Sequence, residues 1–133
     1  RNEFVEIAKQ YVGETNGRIA DIGAREKVLN QSMQERSFQL TTQRVVEESQ
    51  SGKTPGATTS IFKLIGANLS RDGSELKSEL MGTQGAGWSG EDFSENELET
   101  TKNWLSNRAV TIYGGTNEVQ MNIIAKRVLG LPE

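Results

Sequence analysis

Apolar positions recur every three or four residues along most of the chain, which is the spacing of amphipathic helices. The first such segment runs to about Val12, where Gly13, Asn16 and Gly17 interrupt it. Its apolar face is short, so we expect this helix to dock on a neighbour rather than stand alone. That face consists of Phe4, Ile7, Ala8 and Tyr11.

The second segment is the longest and predicts a helix of up to about eight turns, from about Asp21 to about Ser51. Two arginines, Arg36 and Arg44, complicate its apolar stripe. They either snorkel from the edge of the stripe or face a cofactor phosphate or a carboxylate across the bundle. The stripe, which we expect to face the core, consists of Ile22, Leu29, Met33 and Leu40.

A compact turn is predicted at residues 51–56, with Thr54 as the cap of the next helix and Pro55 at its first position. The helix extends to about Met81. Asp72 lies beside its apolar face and either pairs with a stripe arginine such as Arg36 or is solvated at the stripe edge. The apolar face consists of Ile61, Leu64, Ile65, Leu69, Leu76 and Leu80.

The next stretch, residues 82–90, is rich in glycine and carries one aromatic side chain, Trp88. Glycines allow close approach and an indole offers a stacking face, so this loop could lie against a flat ligand. The commoner role of a loop tryptophan is to plug the end of a bundle. The spacing fits neither the phosphate loop of nucleotide triphosphatases nor the dinucleotide fingerprint.

Ser94 and Glu97 form the sequence signature of a capping box, which opens the fourth predicted helix. Trp104 adjoins the apolar stripe of this helix and either thickens the core or belongs to an interface. The helix is expected to stop at residues 114–115. Its stripe consists of Leu98, Leu105, Ala109 and Ile112.

Two glycines, Gly114 and Gly115, separate the fourth predicted helix from the fifth. They permit positive φ and leave backbone N–H groups uncovered, while Thr116 is a good N-cap for a helix that begins at Asn117. The turn is either a simple helix connection or a place for an anionic or carbonyl oxygen. The last helix carries Val119, Ile123 and Ile124 on one side and ends at Gly130 and Pro132.

Five predicted helices, four of them substantial, with short turns and no convincing strand indicate an all-α fold, an up-and-down four-helix bundle. The 133 residues suffice for one domain with a single core. Only 34% of the chain is hydrophobic and 25% is charged, so we expect narrow apolar stripes that another chain or domain completes. The absence of cysteine and histidine excludes disulfides, thiolate metal sites and Ser-His-Asp or Cys-His catalysis within the chain.

The net charge is −3, with lysines and arginines scattered rather than clustered, so nucleic acid is not expected as a partner. No apolar run approaches the roughly 20 residues that span a bilayer, and we expect a cytoplasmic protein without membrane insertion. The first residue is Arg1, and helical spacing begins at Phe4 without a cap. These two features predict a fragment of a longer protein.

Three segments dominate the last thirty residues: NWLSNRA at 103–109, IYGGTNEVQ at 112–120 and NIIAKRVLGLP at 122–132. Together they closely resemble the C-terminus of acyl-CoA dehydrogenases, and the match is long and specific to that family. The predicted helix junctions at 52–64 and 80–85 also sit where that family has them. The resemblance therefore covers most of the chain and is strongest at its end.

The resemblance implies the C-terminal bundle of an FAD-dependent enzyme that introduces a Cα–Cβ double bond into an acyl-CoA thioester. In this family a carboxylate removes the α-proton while the β-hydrogen leaves as hydride to the flavin. Because the α-carbon is a weak acid, the base must act together with a site that stabilises the thioester oxyanion. The family forms tetramers in which the bundle contacts flavin bound largely by a neighbouring subunit. The implied partners are thus an acyl-CoA substrate and other acyl-CoA dehydrogenase subunits.

Two turns of this sequence match positions that contact FAD in relatives. Thr116 and Glu118 match residues that approach the cofactor, and Gly115 gives the backbone room there. Glu79 stands where relatives carry a glutamine contact. The second turn, which in relatives helps to hold the adenine and pyrophosphate end across a subunit interface, consists of Gly82, Thr83, Gln84 and Gly85.

The sequence also departs from the family pattern. In many relatives the residue before Gly-Thr is the catalytic glutamate, and here it is Gly114, which cannot accept a proton. The Arg-x-x-Phe-Gly pattern that clamps the cofactor in many relatives is not recognisable between Tyr11 and Ile22. Glu118 lies in a first helical turn, where the helix dipole is sufficient explanation for it, so we do not expect it to be the base.

Three hypotheses about function follow from the family resemblance and from the positions at which this sequence departs from the family pattern. The first is an acyl-CoA dehydrogenase domain that binds FAD with a neighbouring subunit and takes its base from outside this chain. The second is a noncatalytic assembly subunit or helical interaction module that keeps the bundle but has lost the base. The third is a bundle unrelated to flavin, in which the Gly-Gly-Thr turn is structural.

Overall fold

A computed structural model describes residues 2–52 and 58–132 of the chain. Among them are five α-helices and one short hairpin, and no helix in these ranges is long and apolar enough to cross a membrane. The predicted turn at 51–56, with its cap Thr54 and with Pro55, lies largely outside the described residues. The helices are α1 (Glu3–Tyr11), α2 (Ile22–Gln50), α3 (Thr58–Met81), α4 (Glu95–Ser106) and α5 (Asn117–Ile123).

Helix α1 buries the apolar face that its spacing predicts, with Phe4, Ile7 and Ala8 inside the core. The expectation that this helix starts without a cap is wrong. The side chain of Asn2 accepts a hydrogen bond from the backbone N–H of Phe4 at 3.0 Å, which satisfies one of the free donors of the first turn. Helix α1 packs on α3, as its short apolar face requires.

The segment after α1 forms a two-stranded antiparallel hairpin, β1 (Glu14–Thr15) with β2 (Arg18–Ile19), where the sequence indicated no strand. Asn16 and Gly17 adopt φ of 52° and 77° between the strands. Positive φ at both central residues is the requirement of a type I′ hairpin turn, and Asn-Gly is the dipeptide that meets it most readily. The hairpin brings Ile19 into the core.

Helix α2 has the predicted bounds, because Asp21 caps it and Ser51 ends it, but it presents a different face to the core. Its buried residues are Val28 and Gln31. The prediction that the apolar stripe faces the core is wrong, since all four stripe side chains are between 49% and 74% exposed. They are Ile22, Leu29, Met33 and Leu40.

Helix α3 lies at the centre and contacts α1, α2, α4 and α5, so it orders the whole bundle. Its end at Met81 agrees with the prediction. The proposed pairing of Asp72 with Arg36 is absent; Asp72 instead accepts from its neighbour Arg71, at 2.7 and 2.8 Å. The central core cluster consists of Phe4, Ile7, Ala8, Ile19, Val28, Leu76, Leu80 and Met81.

Helix α4 begins with the predicted capping box, in which Ser94 and Glu97 exchange hydrogen bonds with each other's backbone. Its buried face is polar, formed by Glu97, Thr100 and Thr101. The predicted stripe therefore does not match the inner face, and its members Leu105 and Ile112 are exposed. The helix passes at residue 107 into a 3₁₀ segment, Asn107–Thr111, which shifts the side-chain directions after Ser106.

One partly buried polar contact joins the first helix to the fourth. The hydroxyl of Tyr11 donates to Oε1 of Glu97 at 2.7 Å. Burial, followed by the bond to Glu97, raises the pKa of Tyr11 to about 12. Hydrogen bonds from the Ser94 backbone and from Tyr11 lower the pKa of Glu97. The pair thus favours an ionised carboxylate and a neutral phenol in the folded protein.

We expect Tyr11→Phe to lower the melting temperature by about 3–5 °C at neutral pH, because the substitution leaves a buried carboxylate without one of its donors. The folded-state pKa of Glu97 is depressed, so its stabilisation is present above the unfolded pKa and is lost as pH falls through the folded value. That of Tyr11 is raised, so its contribution is lost as pH rises towards about 12.

Melting curves followed by circular dichroism from about pH 7 down to about pH 3 test this pair. The difference between wild type and Tyr11→Phe should be largest near neutral pH and should shrink in acid. An equal melting temperature for both proteins at neutral pH would contradict the assignment.

Candidate functional site

The turn between α4 and α5 has the backbone conformation that its glycines predict. Gly114 adopts φ of 69° and Gly115 φ of 94°. Among the described residues, no group accepts a hydrogen bond from the backbone N–H of Gly114, Gly115 or Thr116. The turn therefore has three backbone donors that the described residues leave without an acceptor.

Gln120 fixes the shape of this turn from the following helix. Its side chain is only 7% exposed, and its Nε2 donates to the carbonyl oxygen of Gly114 at 3.3 Å. A Cβ atom on Gly115 would lie 2.6 Å from the same nitrogen, which is the end of a flexible side chain and can shift, so it is the φ of 94° that requires glycine here. Thr116 caps α5 as predicted, accepting from the N–H of Val119 at 3.3 Å.

Side chains from α3 support the turn on its other side. The amide of Asn117 donates to Oδ1 of Asn68 at 2.8 Å, and Nζ of Lys63 donates to the carbonyl oxygen of Val110 at 3.2 Å. Oδ1 of Asn117 is buried without a partner in the described part of the chain. Sequence reasoning did not find these supports, because residues 63 and 68 lie about fifty residues before the turn.

Glu118 sits at the start of α5 and is exposed. Its pKa is lowered by its own backbone N–H and by the hydroxyl of Thr116. A carboxylate held in its ionised form by local donors is a weak proton acceptor near neutral pH. That Glu118 is not the base stays a prediction. Its contact with FAD stays a prediction.

The second predicted turn forms a 3₁₀ helix, Gly82–Ala86, at the end of α3. Gly82 and Thr83 are exposed, and Gln84 is half-buried. Gly85 lies inside the protein, where its carbonyl oxygen accepts from Ser78 at 2.5 Å and from Thr101 at 3.0 Å. Its contact with a cofactor stays a prediction, and its packing alone requires a glycine.

Trp88 does not plug the end of the bundle, because its side chain is 58% exposed. Nζ of Lys102 lies 5.8 Å from the centre of its ring. The aromatic side chain that packs against this loop is Phe93, whose ring would overlap a Cβ on Gly87. The indole is therefore largely exposed, with Lys102 over its ring, although the sequence favoured the plug.

The two turns contact opposite parts of α3. The Gly114 turn is beside Lys63 and Asn68, whereas the Gly82 turn is bonded to Ser78. Lys63 and Ser78 are separated by about 22 Å along the helix at 1.5 Å per residue. A single chain therefore does not place both turns around one compact site.

Comparison with protein families matches residues 2–129 to the acyl-CoA dehydrogenase C-terminal domain. The chain is 35% identical over 136 aligned positions to the acyl-CoA dehydrogenase IpdE1 of Mycolicibacterium smegmatis, covering 98% of this chain and 30% of that protein. It is 40% identical over 97 positions to IpdE1 of Mycobacterium tuberculosis, covering 73% and 23% of the two proteins.

Among solved structures, the chain resembles a chain of the ChsE4–ChsE5 complex from Mycobacterium tuberculosis with a TM-score of 0.76 at 23% identity. The superposition covers 98% of this chain and 33% of the other, and it shows the common fold. The chain thus spans about a third, or less, of the length of the proteins it matches.

Proposed function

Because the chain belongs to the acyl-CoA dehydrogenase family, as its C-terminal domain, we propose that it is part of an FAD-dependent enzyme that desaturates an acyl-CoA thioester at the α and β carbons. The observation that carries the proposal beyond the family is the Gly114 turn. Its three N–H groups without an acceptor among the described residues, together with its positive φ angles, support the close approach of another molecule to its backbone.

The residues of this chain fit a flavin at the turn. The turn offers the backbone of Gly115 and the short polar side chain of Thr116, with Glu118 in the first turn of α5. Gln120 bonds to the Gly114 carbonyl from α5 and so supports the shape of the turn. The role of these residues is to bind and orient the cofactor, whose isoalloxazine supplies hydride acceptance when bound. Polar donors fixed in advance are suited to that role, since they need no rearrangement.

The second turn would hold the adenine and pyrophosphate end of a cofactor that is bound largely by a neighbouring subunit. Gly82 and Thr83 are exposed and accessible to such a ligand, and Gln84 is half accessible. The two turns lie far apart along α3, so one chain does not bring both of them to one compact site. This supports a cofactor site that is completed by a second chain. The neighbouring chain is a second acyl-CoA dehydrogenase subunit, of the same or a different kind.

The catalytic base lies outside this chain in this proposal. Gly114 has no proton acceptor, and Glu118 is held ionised by its surroundings. A Cβ on Gly114 would lie 3.8 Å from Cε of Lys63, so a carboxylate introduced there would meet an ammonium group that lowers its pKa. The proposal therefore takes the base from another segment of the protein.

The glycine at position 114 also favours a second function. A subunit that keeps the bundle and lacks the base would assemble with a catalytic partner and contribute backbone to the flavin site without performing the chemistry. The two proposals differ in one measurable property, the ability of the full-length protein alone to pass electrons from an acyl-CoA to flavin.

The test is to purify the full-length protein under native conditions and to record its absorbance before and after addition of acyl-CoA thioesters of several chain types. The enzyme proposal expects flavin absorbance that acyl-CoA bleaches. A flavin-loaded protein that no acyl-CoA bleaches would favour the assembly subunit. A protein without flavin absorbance that also binds no added FAD would overturn both.

A further inference from the structure

The hairpin between α1 and α2 carries a reactive pair of residues at its tip. Asn16 and Gly17 form the only Asn-Gly dipeptide of the sequence. In such a pair, the backbone nitrogen of the glycine can attack the side-chain amide carbon of the asparagine and close a cyclic imide. The two reacting groups belong to adjacent residues and need no partner molecule, so their encounter is set by this chain alone.

The backbone nitrogen of Gly17 is available for this attack. Among the described residues, none accepts a hydrogen bond from its N–H. Gly17 has φ of 77°, and a Cβ atom at this position would meet no atom within 4 Å. Because glycine carries no side chain, the residue itself does not screen its nitrogen. The attacking group is therefore neither held in the ladder nor shielded by the described residues around it.

The hairpin is short enough for the two groups to meet. Ring closure requires the backbone of Asn16, which has φ of 52° in the turn, to rotate and direct the Gly17 nitrogen towards the side chain. Two residue pairs hold the strands together, Glu14 with Ile19 and Thr15 with Arg18. A two-stranded hairpin of this size is marginally stable by itself, so its tip opens at a low free-energy cost.

One other acidic or amide residue of this type precedes a glycine, because Asp72 is followed by Gly73. This pair lies inside α3, where the nitrogen of Gly73 belongs to a helix of 24 residues. A Cβ atom on Gly73 would lie 3.0 Å from Nε2 of Gln31 and 3.3 Å from Cζ of Phe4, so the helix is closely packed there. Opening a packed helix costs more free energy than opening a hairpin tip. The fold therefore directs the ring closure to Asn16.

Arginines lie close to the position of the product carboxylate. Asn16, Arg18 and Arg25 line one groove, and no acidic side chain is among the described residues that line it. Arg25 is fixed in place, because its Nη2 donates to the carbonyl oxygen of Ile19 at 2.7 Å. Its Nε is buried without a partner in the described part of the chain. Positive charge at this groove favours the negative charge that develops on the amide oxygen during the attack.

We propose that the tip of the hairpin is a site of spontaneous covalent modification, at which Asn16 loses its side-chain amide. The bond between the Gly17 nitrogen and Cγ of Asn16 forms, the bond between Cγ and Nδ2 breaks, and the proton of the Gly17 nitrogen leaves with the amide as ammonia. Water then opens the imide at one of its two carbonyl carbons. The products are aspartate at position 16 and isoaspartate, in which the main chain runs through the side-chain carbon.

The two products have different effects on the fold. Aspartate tolerates the positive φ of the turn, and its carboxylate stays beside Arg18 and Arg25. Isoaspartate adds a main-chain carbon to a two-residue turn, so the strands no longer pair in register. The second strand carries Ile19 into the core, and Asp21 caps α2 two residues later. The isoaspartyl form is therefore expected to loosen the start of the longest helix.

The experiment incubates the full-length protein in mildly alkaline buffer, digests samples in acid and maps the peptides by mass spectrometry. Isoaspartate is detected by methyl transfer from S-adenosylmethionine with an isoaspartyl methyltransferase. Conversion should appear first in the peptide that carries Asn16 and before any in the peptide that carries Asp72. Asn16→Gln keeps an amide but requires a larger ring, so it should lower the conversion at this position by about tenfold or more.

Arg18→Gln should slow the conversion by about two- to fivefold, which is the effect of one charge at a partly exposed site. The matched control is Arg44→Gln, the same charge change about five turns beyond Arg25 on α2, which should leave the rate unchanged. Circular dichroism must agree among the variants, so that a changed rate does not reflect unfolding.

An Asn16 amide that persists in the folded protein, while the same protein converts in urea, would show that the hairpin protects it and would overturn the proposal. Isoaspartate that forms first at Asp72 would also overturn it. Equal rates for wild type and Arg18→Gln would overturn the contribution of the arginines. Neither flavin content nor activity is measured, so the outcome is independent of the proposed enzymatic function.

Discussion

Replacing Gly85 by alanine is expected to destabilise the protein by about 3 kcal/mol or more, a large part of the stability of a typical domain. A Cβ at this position would overlap the carbonyl oxygen of Ser78 and lie 2.9 Å from its Cα. Both atoms belong to the backbone of α3, so no side-chain rotation relieves the clash. The hydrogen bonds from Ser78 and Thr101 to the Gly85 carbonyl would be lost as the chain moves.

The comparison variant is Gly82→Ala in the same 3₁₀ segment. Gly82 has φ of 60°, but a Cβ there meets no atom within 4 Å. Its expected cost is about 1–2 kcal/mol, which is the conformational penalty alone. Chemical denaturation of both variants separates steric clash from backbone strain. Equal losses of stability would show that Gly85 is not confined as the structure indicates.

The largest functional effect is expected from Gly115→Ala. Alanine is strained at the φ of 94° that Gly115 adopts, and the new Cβ would lie 2.6 Å from Nε2 of Gln120, so the end of that side chain must shift and its hydrogen bond to the Gly114 carbonyl is disturbed. If the turn orients flavin as proposed, displacement by about 1 Å should reduce turnover of the full-length protein by about 100-fold. The fall should appear in kcat/KM together with a loss of bound flavin.

A second substitution tests the cause. Gln120→Ala removes the atoms that the new methyl group would strike, since the next contact, to Val119 Cγ1, is an ordinary 3.9 Å. The double variant Gly115→Ala with Gln120→Ala should therefore recover part of the activity that Gly115→Ala alone loses. Lower activity in the double variant than in either single variant would rule out the clash as the cause.

The bounds of the helices were predictable because their signals are local. Asp21, Ser94 and Thr116 each cap the helix that the sequence indicated, and the side-chain oxygen of each accepts from a backbone N–H three residues later. The same local reasoning missed the hairpin at residues 14–19. There the decisive Asn16–Gly17 signal is present, but the same two residues also fit a simple helix break.

The directions of the helix faces were less predictable. Periodicity shows that a face is apolar and does not show what covers it, so the exposed apolar stripe of α2 has the same sequence pattern as a core face. Helix α4 shows the converse, because Glu97 is buried with its charge satisfied by Tyr11 and by its own cap. A contact between residues 86 positions apart cannot be inferred from spacing along one helix.

The candidate site also has parts that neighbouring residues predict and parts that they do not. The glycine turn and its cap follow from a few neighbouring residues, and the family resemblance follows from the thirty residues around them. The supports of the turn, Lys63 and Asn68, come from a helix far away in sequence. Gln120 is the one support that lay within reach, because it begins the second turn of the helix that Thr116 caps.

The bond between Tyr11 and Glu97 also affects the order of events during synthesis. Tyr11 is made 86 residues before its partner, which at about 5–20 residues per second means an interval of roughly 4 to 17 s. For most of that interval Phe4 and Ile7 have no finished core to enter, since α3 is completed only at Met81. The nascent chain therefore passes through a period in which the apolar face of α1 has no completed core to cover it.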